Sequence, residues 1–114
     1  MQLQEALNRL CRFVSGIRLH TVPDWDVDRG TRFFQEKAWL AEAVARAECE
    51  RGAFDPFYLR YTLGKREIID IREECRRKLG ARFDLRAFHD ALLGCGSAPM
   101  SEMRRLTLLK LGIA

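Results

Sequence analysis

The residues best equipped for chemistry are few and scattered along the chain. Tyr58 and Tyr61 stand three apart, a spacing that places both on one side of a helix. Either hydroxyl can reach into a cleft and stabilise an oxyanion, although an amphipathic tyrosine more commonly packs its ring and wets its hydroxyl. Arg72 lies one turn beyond Ile68, beside an apolar stripe, where it either closes an internal salt bridge or orients a carboxylate. The two histidines are His20 and His89, and neither has a second ligand three or four residues away. A histidine near a helix C-terminus is stabilised by the helix dipole without any chemistry, so His20 has a structural reading beside its reading as a site residue. His89, in Phe88-His89-Asp90, is a weaker candidate for substrate contact. The four cysteines, Cys11, Cys49, Cys75 and Cys95, form no C-x-x-C clip. H-E-x-x-H, which would set two imidazoles on one helix face, is absent, and no metal site is expected from this chain's own residues. Three of the cysteines fall within helical apolar patterns, which predicts reduced, buried thiols and a reducing compartment, the cytoplasm.

The elements that would position these side chains are all helical by pattern. Leu3, Leu7, Leu10, Val14 and Ile17 recur at four-and-three spacing and predict an amphipathic helix ending near His20, before the turn Val22-Pro23-Asp24. Asp24, Asp26 or Asp28 can cap a second helix with Phe33 and Phe34 on its apolar face. Residues 28 to 50, with Leu40, Val44 and Ala47 on one side, form either one bent helix or two, closed by Arg51-Gly52. Asp55-Pro56 predicts an N-cap followed by proline in the first turn, opening a long central helix over about 56–79. Its stripe runs Phe57, Tyr61, Gly64, Ile68, Ile71, Cys75 and Leu79, and Glu73–Arg77 and Glu74–Lys78 are acid-first pairs on the opposite face. Gly64, unfavourable in mid-helix, points either to close helix packing or to a ligand coming near. Gly80 supplies a left-handed cap. Asp84 caps a helix through Leu93, and a last helix runs from about Met100 to Leu109. No useful stretch alternates with period two. The fold class is therefore all-α, a compact bundle of five or six helices.

Composition narrows the function classes. The chain has 114 residues, 47% hydrophobic and 32% charged, which fits a single small helical domain over residues 1–114. No apolar run approaches a membrane span, and the start, MQLQEALNRL, lacks the order of a secretory signal. The net charge of +4 is mild. Arg76-Arg77-Lys78 and Arg104-Arg105 are flanked by acids and lack interleaved aromatics, so a solvated face is expected rather than a nucleic-acid track, and no membrane partner is expected either.

Several segments taken together resemble a known family. Phe54-Asp55-Pro56, Tyr61-Thr62-Leu63-Gly64-Lys65, Ile68, Arg72, and Phe83-Asp84-Leu85-Arg86-Ala87-Phe88-His89-Asp90 with Leu92, Leu93, Gly96 and Pro99 are similar to the C-terminal end of bacterial "domain of unknown function 885" proteins. Arg12, Arg18-Leu19-His20-Thr21, Phe33-Phe34 and Arg51 resemble its upstream segments, with Ser15-Gly16 standing where the family carries an aspartate. The resemblance implies larger helical proteins of the zinc-peptidase, H-E-x-x-H class, whose ligands and general base precede this region. It implies zinc in the intact family and no cofactor held by this chain, a C-terminal module inactive alone, and the N-terminal half of the same protein as partner. It also implies that Tyr61, then His20, with Arg72 in support, contact substrate or an oxyanion on one wall of the cleft, with Tyr58 and His89 as further substrate contacts. The alternative is a stand-alone helical interaction protein that self-associates through exposed apolar helix faces.

Overall fold

Where the apolar period is close to 3.6 the chain forms helices, and where proline, aspartate and glycine interrupt it the chain turns. The computed structural model describes residues 2–114, and all of their regular structure is helical. The order is α1 (Gln2–Thr21), α2 (Val27–Ala38), α3 (Glu42–Phe54), α4 (Arg60–Leu79), a 3-10 turn (Gly80–Arg82), α5 (Leu85–Leu93) and α6 (Met100–Lys110). The protein is all-α, with six α-helices among the described residues. None of them is long and apolar enough to cross a membrane. The chain divides into two compact units, one ending at Leu63 and the other Gly64–Ala114.

In the first unit, Asp26 is the aspartate that caps α2, its carboxylate accepting the Arg29 N–H at 2.7 Å. Trp39 then takes a left-handed conformation, φ 51°, which ends α2 and makes residues 28–50 two helices rather than one bent one. The core is built from Cys11, Phe34, Ala38, Ala45 and Cys49, with Leu19, Val27, Phe33 and Leu40 packed at its edge. This differs from the expected stripe on α1. Cys11, Ser15 and Gly16 are the buried residues of that helix, while Leu3, Leu10 and Ile17 are 86%, 52% and 39% exposed. The reason is the size of the opposing residues. Gly30, Ala38, Ala45 and Cys49 offer a small-residue surface, and small residues on α1 let the helix axes come close. Gly30 is the tightest point, since a Cβ there would run into Cys49 Sγ. Despite Gly16, α1 continues unbroken for 20 residues.

Asp55 does not open the long helix. Its backbone N–H closes α3 on Arg51 O, and its carboxylate accepts the Phe57 N–H at 2.9 Å, an Asx turn. Two turns follow, Tyr58 N–H to Asp55 O and Arg60 N–H to Phe57 O, so α4 starts at Arg60 and not at Pro56. Helix α3 also runs through Arg51-Gly52 to Phe54 instead of stopping there.

In the second unit, Ile71 and Cys75 of α4 pack with Phe88, Leu92 and Leu108, ringed by Phe83, Met100, Met103, Leu111 and Ile113. Burying Phe88 alone contributes about 2–3 kcal/mol. Gly80, φ +55°, caps α4 as its position after Leu79 predicts. Asp84 caps α5 through the Ala87 N–H at 2.7 Å. The expected Glu74–Lys78 pair is present at 3.5 Å, but Glu73 pairs with Arg72 and Arg76 rather than with Arg77. A Cβ at Gly64 would meet nothing within 4 Å, so close helix packing is not what places glycine there.

Candidate functional site

Three side chains from three parts of the first unit meet in one polar cluster. Arg12 from the middle of α1 grips the Glu48 carboxylate of α3 with two prongs, Nε to Oε2 and an Nη to Oε1, each 2.7 Å. Tyr58, placed by the turns after Asp55, donates its hydroxyl to the same Oε2. The Arg12 guanidinium also lies 5.4 Å from the centre of the Tyr58 ring. The ring can sit this close because Gly52 offers no side chain, and a Cβ there would stand 3.0 Å from Tyr58 Cδ1.

Charge and burial act on this cluster in opposite directions. Burial by itself would raise the Glu48 carboxyl, but hydrogen bonds from Arg12 and Tyr58, with the positive charge of Arg12 and Arg51, hold it below the usual range. The Arg12 guanidinium is held more firmly protonated, chiefly by its bonds to Glu48. Burial, then the bond to Glu48 and its charge, push the Tyr58 phenol well above its ordinary value. Glu48 is thus an ionised carboxylate and Tyr58 a neutral donor already committed to it. Tyr58 is a strut, not a free catalytic hydroxyl.

The uncommitted groups sit beside this strut. A cleft of about 230 Å³ is lined by Arg12, Arg51, Asp55, Tyr58, Arg60 and Tyr61. Among the described residues neither Arg51 nor Arg60 forms an ion pair, and the Tyr61 hydroxyl has no hydrogen bond. Tyr61 is 62% exposed, its ring flanked by the guanidinium carbons of Arg60 at 5.4 Å and Arg9 at 6.0 Å. With Arg12 neutralised by Glu48, Arg51 and Arg60 face Asp55, leaving one excess positive charge. Two guanidinium forks and a phenol O–H around that charge can hold one carboxylate or oxyanion.

The structure brings Tyr58 and Tyr61 together at this cleft. His20 lies on the same unit but outside the lining, where its Nε2 bonds the Gly52 carbonyl at 3.1 Å and ties the end of α1 to α3. Arg72 and His89 belong to the second unit. Arg72 pairs with its neighbour Glu73 at 3.0 Å, and His89 is exposed beside the Phe88 ring, centroids 5.5 Å apart. Glu48, Arg51 and Arg60 are additions that the sequence did not single out for chemistry. Glu48 carries no local signal, lying in an alanine-rich stretch of weak periodicity. Arg60 is one of several arginines until the turn at Asp55 aims it.

No three His, Cys, Asp or Glu side chains among the described residues come together as a set able to hold a metal ion. The residues here do not fit zinc, and no step is routed through it. All four cysteines are free, and burial raises the thiols of Cys11, Cys49 and Cys75, so these three are not poised as thiolate nucleophiles.

The family model described as "Bacterial protein of unknown function (DUF885)" matches residues 1–106. The chain belongs to the DUF885 family. The DUF885 match includes every residue of the cleft and of the Arg12–Glu48–Tyr58 cluster beneath it. No curated protein and no solved structure matches the chain.

Proposed function

We propose that the cleft of the first unit recognises the carboxylate of a peptide-like substrate and forms one wall of a peptidase-like active site. The metal-bearing part would lie on another stretch of polypeptide, the N-terminal half of the same protein, and this chain alone would not catalyse. The observation that carries the reading is the placement of Arg51, Arg60 and the Tyr61 hydroxyl, uncommitted, around a rigid Arg12–Glu48–Tyr58 platform. Tyr61 contacts the substrate carboxylate or an oxyanion, Arg51 and Arg60 neutralise it, and Tyr58 positions the floor. His20 supports the wall by fixing α1 to α3. Free thiols suit a reducing compartment, and the cytoplasm is the location proposed.

The test is calorimetric titration of the purified chain with a short peptide carrying a free C-terminal carboxylate, beside the same peptide amidated. The carboxylate form should bind and the amide should not, and Arg60→Gln should weaken binding about tenfold. Equal affinity for the two peptides would overturn the assignment. Chelator-sensitive peptide hydrolysis by this chain with zinc would overturn its inactivity alone.

One observation favours a second reading, a stand-alone interaction module. Leu3, Leu10 and Ile17 repeat every seven residues and are all exposed, so one line of α1 presents large apolar side chains outward. Light scattering decides it: a dimer that Leu10→Glu converts to a monomer supports self-association through α1.

A further inference from the structure

A second groove in the first unit has a different charge. Ten ion pairs form within 4 Å among the described residues, and none uses Arg18, Arg29, Arg32 or Lys37. Those four cations line one shallow groove of about 540 Å³, with Trp25, Phe33 and one carboxylate, Glu36. The local excess is three positive charges. Arg46, by contrast, faces both Asp28 and Glu50, and the Arg51–Arg60 cleft carries a smaller excess of one charge.

Two of the four cations, Arg18 and Arg29, lie against aromatic rings. Trp25 and Phe33 pack edge to face, centroids 5.7 Å apart. The Arg18 guanidinium carbon lies 4.6 Å from the Trp25 ring centre and 5.7 Å from that of Phe33. Arg29 lies 5.8 Å from the same indole and donates to the Asp24 carbonyl at 3.0 Å. Stacking of this kind removes rotamer freedom before a ligand arrives and leaves guanidinium edges free to donate. The inner edge of the indole faces Gly30, and its Nε1 is buried there without a hydrogen-bond partner among the described residues. The ring orders cations; it is not an open platform for a base.

We propose that this groove binds a diphosphate group. A phosphate monoester carries roughly −1.5 to −2 charges at neutral pH, so two linked phosphates match three excess positive charges, whereas one carboxylate does not. The forked donors of Arg18, Arg29 and Arg32 fit phosphate oxygens in pairs, and Lys37 adds a point charge. The site is separate in residues and in charge from the Arg51–Arg60 cleft, and neither depends on the other.

The experiment is titration of the chain with sodium pyrophosphate, read by calorimetry and by Trp25 emission in a Trp39→Phe background. Saturable binding at submillimolar concentration is expected, weakening with added salt. ADP should bind at least as tightly, and adenosine should not bind. Affinity for ADP above that for pyrophosphate would name a nucleotide as the source, and equal affinity the diphosphate alone. Arg18→Gln with Arg32→Gln should lower affinity at least tenfold while the helical circular dichroism stays unchanged, since both side chains are exposed and unpaired. Arg86→Gln, which removes one positive charge from the second unit, should leave affinity unchanged. Three results would overturn the proposal: no saturable binding up to about 10 mM, loss of binding in Arg51→Gln/Arg60→Gln instead, or tighter binding of a single-stranded oligonucleotide than of ADP.

Discussion

Arg12 and Glu48, 36 residues apart in sequence, share two hydrogen bonds of 2.7 Å and so join α1 to α3 through a planar, two-pronged ion pair. Their side chains are 20% and 13% exposed, which leaves little water to compensate either charge if the other is removed. Glu48→Ala should therefore cost about 2–4 kcal/mol, measured by urea unfolding, because Arg12 and the Tyr58 hydroxyl both lose their acceptor. Tyr58→Phe removes one bond and leaves the pair intact, and about 1 kcal/mol is expected. A Glu48→Ala loss no larger than that of Tyr58→Phe would show that the pair contributes nothing beyond one hydrogen bond.

The same cluster sets a pH dependence at both ends of the scale. The Glu48 carboxyl is lowered in the folded state, so the unfolded chain binds the proton more readily in acid. Its stabilisation is complete above the ordinary glutamate value of about 4.3 and is lost as pH falls through the lower folded value. The Tyr58 phenol is raised, so its contribution is complete below about pH 10 and is lost as pH rises towards the folded value. Unfolding free energy measured from acid to alkali should fall at both limbs. Glu48→Gln should flatten the acid limb and Tyr58→Phe the alkaline one. Glu74, also lowered, by Arg104, should leave a residual acid slope in Glu48→Gln.

Helix types, caps and most boundaries could be read from residue pattern because they are local. Asp26, Gly80 and Asp84 act within three or four residues of their own position, and each does what its type predicts. The α1 face was not legible in the same way. Large aliphatics at four-and-three spacing outweigh Cys11, Ser15 and Gly16 in any periodicity, yet the small residues are buried because those opposite them are small too. Asp55-Pro56 is a second case: one pair of residues satisfies both a helix start and an Asx turn, and the packing of Tyr58 on Gly52 accompanies the turn. In the candidate site, Tyr58 and Tyr61 were visible through their spacing. Glu48 was not, because its meaning comes from Arg12, on another helix.

The close approach at Gly30 gives a prediction with a built-in rescue. Gly30→Ala adds a methyl group where Cys49 Sγ already lies, with Ser15 Oγ at 3.3 Å on another side. Overpacking of this kind should cost about 1–3 kcal/mol. Cys49→Ala creates a small void and is destabilising by itself. The double variant should be more stable than the sum of the single losses, because the added methyl occupies space the thiol vacated. Thermal unfolding of the four proteins gives the coupling directly. Additive losses would place the strain of Gly30→Ala somewhere other than Cys49.

Gly64 offers the opposite test. It lies in the fifth position of α4, where glycine costs roughly 1 kcal/mol against alanine through lost backbone entropy. A Cβ there meets no atom within 4 Å, and the residue's φ is not among the positive values that only glycine tolerates easily. Nothing within the fold opposes a methyl group at this position. Gly64→Ala should therefore stabilise the protein by about 0.5–1 kcal/mol, seen as a higher urea midpoint with an unchanged slope. If the variant is more stable and still binds the carboxylate peptide, glycine at 64 serves neither packing nor the proposed cleft. A less stable variant would overturn the entropic account of glycine at 64.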